Sequence, residues 1–215
     1  MTYTGVSGRK WVIDETKQAA PGGRSTPYYG HEMDDELHRV WAQRAIGGDT
    51  EGLDLDRDRE HLRRAYRIGR IEAVAACAHI HALIDLIDGY DVWTISECAE
   101  TVLDHELRGG PLETDEVDQL ELALTSALHV LHGEGLVHCD VREDNVLRFD
   151  GSWKLGDLGG VVRRYEPIEA IQKDPEYRRS GAELGALAVP ENDHFALAVV
   201  LDHARNGLPP SSPCS

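Results

Sequence analysis

Three oxygen-bearing side chains fall within one short stretch: Asp140, Asn145 five residues later, and Asp157 twelve residues beyond that. Their types and order suit transfer of a phosphoryl group from a nucleotide. That reaction needs a carboxylate to orient the attacking hydroxyl and receive its proton. It also needs oxygen ligands for a Mg2+ ion that bridges and neutralises the phosphates. Asp140 can do the first, and Asn145 and Asp157 can do the second. Gly159 lets the backbone turn sharply just past Asp157.

These groups require rigid supports. Residues 114–132 read as a helix, because Val117, Leu120, Leu124, Leu128 and Leu131 fall on one face. Gly133 and Gly135 stop it. Residues 146–149 and 153–155 read as a hairpin about Asp150-Gly151. A loop held between a helix and a hairpin keeps its side chains in fixed positions. Upstream, short strands are expected at residues 11–13, 39–42, 82–87 and 92–96, the last two joined by a turn at 88–91. Residues 59–78 carry a helical pattern, with an apolar face beside Arg63, Arg64, Arg67 and Arg70; that basic row reads as a solvated helix face. Residues 34–36 read as a solvated acidic run, 195–201 as an apolar helical run and 208–213 as a loose tail.

At this point the sequence resembles the protein kinase family. His138 to Asn145 is similar to its H-R-D-x-x-x-x-N catalytic loop, with Cys139 in place of the arginine and Arg142 in place of the usual lysine. Asp157-Leu158-Gly159 is similar to D-F-G. Asp174-Pro175-Glu176-Tyr177 looks like A-P-E, with Pro190-Glu191 as a competing candidate, and Asp193 resembles the family's buried aspartate on the next helix. Residues 94–99 look like the strand and hinge that hold adenine through backbone groups of Glu97 and Ala99. The resemblance implies an α+β, two-lobed fold. A degenerate sheet-bearing N-lobe would occupy residues 1–97, and a truncated, mainly helical C-lobe residues 98–215. It also implies ATP and Mg2+ as cofactors and a protein hydroxyl as substrate. Asp140 would be the catalytic base, Arg142 would steady the phosphate, and Asn145 and Asp157 would bind the metal. His138, Gly159, Glu176 and Asp193 would shape the site.

Several positions depart from the pattern. Gly22 and Gly23, in Pro21-Gly22-Gly23-Arg24-Ser25, are the candidates for the glycine loop but lack the G-x-G-x-x-G spacing. If residues 40–43 stand where V-A-I-K belongs, the phosphate-holding lysine is Gln43. Arg44 is the adjacent candidate, although neighbours on a strand face opposite ways; Lys10 and Lys17 are others. Its helix partner is Glu60 or Glu72. Cys139 cannot clamp a phosphorylated segment, and residues 158–174 offer no Ser or Thr and only Tyr165, so activation by phosphorylation of this segment is not expected. Cys139 beside His138 also admits a thiol-nucleophile reading. Arg178, Arg179 or Arg205 would have to receive Glu176. These departures keep a pseudokinase, acting as a nucleotide-binding or regulatory module, as an alternative. A small-molecule kinase of the aminoglycoside type is a further one, although that loop more often runs H-G-D.

Composition bounds the rest. The chain has 215 residues, 41% of them hydrophobic, which is enough for a real core. Asp and Glu total 39 against 22 Lys and Arg, a net charge of −17 that argues against nucleic acid or an anionic membrane as partner. No apolar run approaches the ~18 residues of a spanning helix. The N-terminus shows no secretory signal, and the cysteines at 77, 98, 139 and 214 form no paired framework, so a cytoplasmic location is expected. His79-Ile80-His81 reads as ordinary histidines rather than a metal pair.

Overall fold

The computed structural model describes residues 1–18, 27–45, 55–168 and 175–208. The chain divides into two compact units, residues 1–75 with 81–98, and residues 76–80 with 99–215. It is an α+β protein.

The first unit is built on strands β1 (Thr2–Thr4), β2 (Lys10–Gln18), β3 (Tyr28–Glu32), β4 (Asp35–Arg44), β5 (Asp85–Asp88) and β6 (Val92–Glu97). They form one antiparallel sheet in the order β1-β2-β3-β4-β6-β5. Helix α1 (Leu55–Gly69) packs on it, and α2 (Glu72–Ala76) follows. Among the described residues the sheet thus has six strands rather than a degenerate set, with register shifts between β2 and β3 and between β3 and β4, and β1 and β3 were not anticipated. The helical pattern over 59–78 is broken into two helices, α1 ending at Gly69 and α2 beginning at Glu72. The acidic run at 34–36 turns into the start of β4.

The period-2 alternation of strands sorts this sheet into two faces. Trp11, Ile13, Val40, Ala42, Ile87, Trp93 and Ile95 share a fully buried face. On the other, Leu86 and Val92 pack with Leu62 of α1. The basic row on α1 is neutralised locally: Arg63 binds Asp88 (2.7 Å), Arg67 pairs with Glu60, and Arg70 lies over Tyr66.

A buried carboxylate ties the first unit together. Asp85 is fully buried and accepts from the indole Nε1 of Trp11 (2.8 Å), from the hydroxyl and amide of Ser7, and from the amide of Leu86. Gly5 lies against this carboxylate: a Cβ there would come within 1.9 Å of Asp85 Oδ2. A Gly5→Ala substitution is therefore expected to destabilise the first unit by about 1–3 kcal/mol, the usual cost of overpacking. It would appear as a lowered denaturant midpoint in the fluorescence of the buried Trp11 and Trp93.

The second unit holds β7 (Thr101–Val102), α3 (Leu103–Leu107), α4 (Thr114–Gly133), β8 (Leu136–Val137), β9 (Val146–Phe149), β10 (Ser152–Leu155), β11 (Val162–Arg163) and α5 (Pro190–Asn206). The β9–β10 hairpin is joined by β7, and β8 pairs with β11. Its core is the apolar stripe of α4: Leu120, Leu124, Leu128 and Leu131 are all buried. A capping box between Glu113 and Glu116 starts α4, and Gly135, at φ 71°, turns the chain after it. Pro190 opens α5 at a position where its missing N–H costs nothing.

Candidate active site

The site forms in the second unit, where the chain leaves β8 and runs toward the β9–β10 hairpin. Asp193, on the first turns of α5 and 1% exposed, anchors the entry. Its Oδ2 accepts from the amide of His138 (2.8 Å) and faces Nε2 of His132 (2.8 Å), and its Oδ1 accepts from the amide of Cys139 (2.8 Å). Three donors on one carboxylate fix where the loop begins. The His138 ring is fully buried. Its Nδ1 accepts from the amide of Asp140 (3.3 Å), so Nε2 carries the proton and donates to the carbonyl of Gly156 (2.9 Å). This imidazole links the loop at residues 138–140 to the residue before Asp157.

Asp140 and Asn145 are brought together. The amide Nδ2 of Asn145 donates to the carboxylate of Asp140 (2.9 Å) and to its backbone carbonyl (2.8 Å). With Nδ2 committed to Asp140, Oδ1 remains as the acceptor end of the amide. The backbone at Asn145 is fixed by bonds from its amide to the Arg142 carbonyl (3.0 Å) and from the Gly156 amide to its carbonyl (2.7 Å). Burial, with the nearby charge of Asp157, raises the pKa of Asp140, while His138, Asn145 and Arg142 act in the opposite direction. Asp157 is solvent-exposed and adopts a left-handed backbone (φ 51°), with Gly159 N–H toward its Oδ1 (3.4 Å). The left-handed residue of this turn is therefore Asp157 itself; Gly159 is buried within the following single helical turn. Arg142 forms an ion pair with Asp144.

Other sequence-derived candidates fall elsewhere. In the first unit, register places Gln43 beside Thr94 and Leu86, on the face that packs with α1. Arg44 pairs with Trp93 on the opposite face, stacks on that indole, and binds Asp91 (2.8 Å) and Glu15 (3.9 Å). Arg44 is thus a structural cation, and the residue facing α1 at this point is glutamine. Lys17 sits with Asp14 (3.4 Å), Glu60 with Arg67, and Glu72 is exposed. The Glu97 carbonyl takes a bond from the His81 ring (3.2 Å), and Ala99 opens the next stretch of the second unit, partly exposed. Gly22, Gly23 and Asp174 lie outside the described residues.

Glu176 is exposed, and Arg205 binds Glu121 (2.7 Å) rather than Glu176. Glu191 lies in the first turn of α5, two residues before Asp193. Burial, with Asp193 and Asp140 nearby, pushes the Cys139 thiol far up, which works against its thiolate form. His79 and His81 turn to the carbonyls of Trp153 and Glu97 (3.2 Å each). Among the described residues no three His, Cys, Asp or Glu side chains gather as a metal site. The oxygen-only pair of Asn145 and Asp157 is of the type a hard dication takes.

One residue of the loop escaped the sequence reading. Glu143 is 3% exposed and accepts from the hydroxyl of Tyr177 and from Nδ1 of His203 (2.9 Å). The only signal in the sequence is an acidic residue inside a loop whose pattern leaves that position unspecified.

No family profile matches the chain. Among curated proteins it is 29% identical over 154 residues to a Wee1-like protein kinase of Arabidopsis thaliana, covering 62% of this chain and 29% of that protein. It is 29% identical over 96 residues to mitogen-activated protein kinase kinase kinase 20 of the same plant, covering 44% of this chain and 28% of the relative. Over 127 residues it is 27% identical to serine/threonine-protein kinase PAK 4 of Homo sapiens, covering 57% and 22%. The matched regions thus span less than a third of each relative's length. These similarities relate the chain to the protein kinase-like superfamily.

Proposed function

We propose that this chain is a two-lobed, protein-kinase-like phosphotransferase that uses Mg2+ and ATP and transfers the γ-phosphate to a protein hydroxyl. The observation that carries the reading is the half-buried Asp140 carboxylate, held by the Asn145 amide and close enough to Asp157 to feel its charge. Asp140 orients the incoming hydroxyl and takes its proton; its raised pKa makes it a stronger base than a free carboxylate. Asn145, through Oδ1, and Asp157 would hold Mg2+, which when bound neutralises phosphate charge. Arg142, tethered by Asp144, adds a cation beside Asp140. A cytoplasmic setting belongs to the same proposal; among the described residues no helix is long and apolar enough to cross a membrane. The test is phosphate incorporation from Mg–ATP into a general protein acceptor, wild type against Asp140→Asn. Equal incorporation overturns the reading.

One observation favours a second reading, a nucleotide-binding module with little transfer. Glutamine, not lysine, occupies position 43 on the α1 face of the sheet, and Arg44 is committed to the other face. Under this reading Mg–ATP raises the melting temperature while wild type incorporates no more phosphate than Asp140→Asn.

A further inference from the structure

The catalytic loop of the second unit is fastened at two points. Asp193 holds its entry at residues 138 and 139. Glu143, near its exit, is held by His203, ten residues and therefore about 15 Å further along α5. The third member is Tyr177, from the single helical turn Pro175–Tyr177, whose hydroxyl donates to the other oxygen of Glu143. Glu143, Tyr177 and His203 are all buried, and the two rings meet edge to face at 6.1 Å. Burial and the neighbouring carboxylate push the Tyr177 hydroxyl far up, so it stays a donor.

We infer that Glu143, Tyr177 and His203 form a positioning triad that sets the location of Asn145, and through it of Asp140, for the reaction proposed above. The inference rests on that functional reading for its consequence and on geometry for its existence. Glu143 begins the turn Glu143–Asn145. If one donor is removed, a buried carboxylate oxygen is left unpaired, and such a group costs more than the bond itself contributes. The turn relieves that cost by moving Glu143 toward water. Asn145 lies two peptide links away, so it moves as well, and its Nδ2 leaves the Asp140 carboxylate.

The experiment compares the 215-residue wild-type chain with Tyr177→Phe by hydrogen exchange. Peptides covering residues 138–145 should exchange about tenfold faster in the variant, whereas peptides of α4 and of β4 to β6 stay within about twofold. Should Tyr177→Phe fail to fold, Glu143→Gln tests the same link, since the amide keeps the shape and loses one acceptor. In phosphate transfer, the variant should lower kcat and raise the KM for Mg–ATP, because Asp140 and the Mg2+ ligand Asn145 of the reading above are displaced together, whereas Asp140→Asn should lower kcat alone. Unchanged exchange in the loop, or a rise shared equally by α4, overturns the triad. Absence of transfer by wild type would remove the proposed function instead, and the exchange result would still decide the triad.

Discussion

Phosphate incorporation by an Asp140→Asn variant is expected to fall about 10²–10⁴-fold, the range that a positioned general base contributes. Asparagine matches aspartate in shape, and its Oδ1 can still accept from Asn145 Nδ2, now 2.9 Å from the carboxylate. The variant therefore keeps the loop and loses the carboxylate proposed as proton acceptor. Its fold should not suffer. In the wild type a half-buried carboxylate sits near the charge of Asp157, and both its partial burial and that charge work against the ionised form. A neutral isostere removes an unfavourable charge, so the melting temperature should equal or exceed that of wild type. Activity lost with stability kept separates loss of the base from unfolding; a large drop in melting temperature would undo this account of Asp140.

Asp193→Ala carries the opposite signature. Its carboxylate satisfies two backbone amides and faces one imidazole at a place only 1% exposed, where water cannot replace it. Breaking a buried charged cluster from one side costs about 3–5 kcal/mol, a large part of a typical domain's stability. Urea denaturation followed through Trp153, which is buried in the second unit, should show a midpoint well below wild type. The loop at residues 138–140 would lose its anchor, so transfer should fall too. Asp193→Asn, which keeps one full acceptor, should lie between. A midpoint equal to wild type would mean that Asp193 does not hold the loop.

The parts legible in the sequence were those written at short range. The leucine period of α4 lies within one element and the Asp150-Gly151 turn joins two strands adjacent in the chain, and both were read to within a residue or two. The Asn145–Asp140 hydrogen bond joins residues only five positions apart, so that contact too is local in the sequence. What sequence pattern could not supply was decided by partners. The residues of β3, Tyr-Tyr-Gly-His-Glu, have no clean alternation, and they form a strand because β2 and β4 lie on either side. Asp85 read as one polar residue in an apolar run, and its role depends on Trp11, 74 positions earlier. Glu143 and His203 are 60 positions apart, so no local pattern joins them. The choice between Gln43 and Arg44 needed the pairing register of β4 with β6, which alone says which side chain faces α1.

Cys139 and Asp157 both hold left-handed backbone, at φ 64° and 51°. A residue with a Cβ pays roughly 1–2 kcal/mol for that conformation, and the surrounding packing has to sustain it. These two residues flank the stretch that carries Asp140 and Asn145, and Asp193 of α5 holds the entry to it. Warming or mild denaturant that loosens this anchor will let the strained stretch relax first, so the proposed transfer would be lost at temperatures where the helices are still intact.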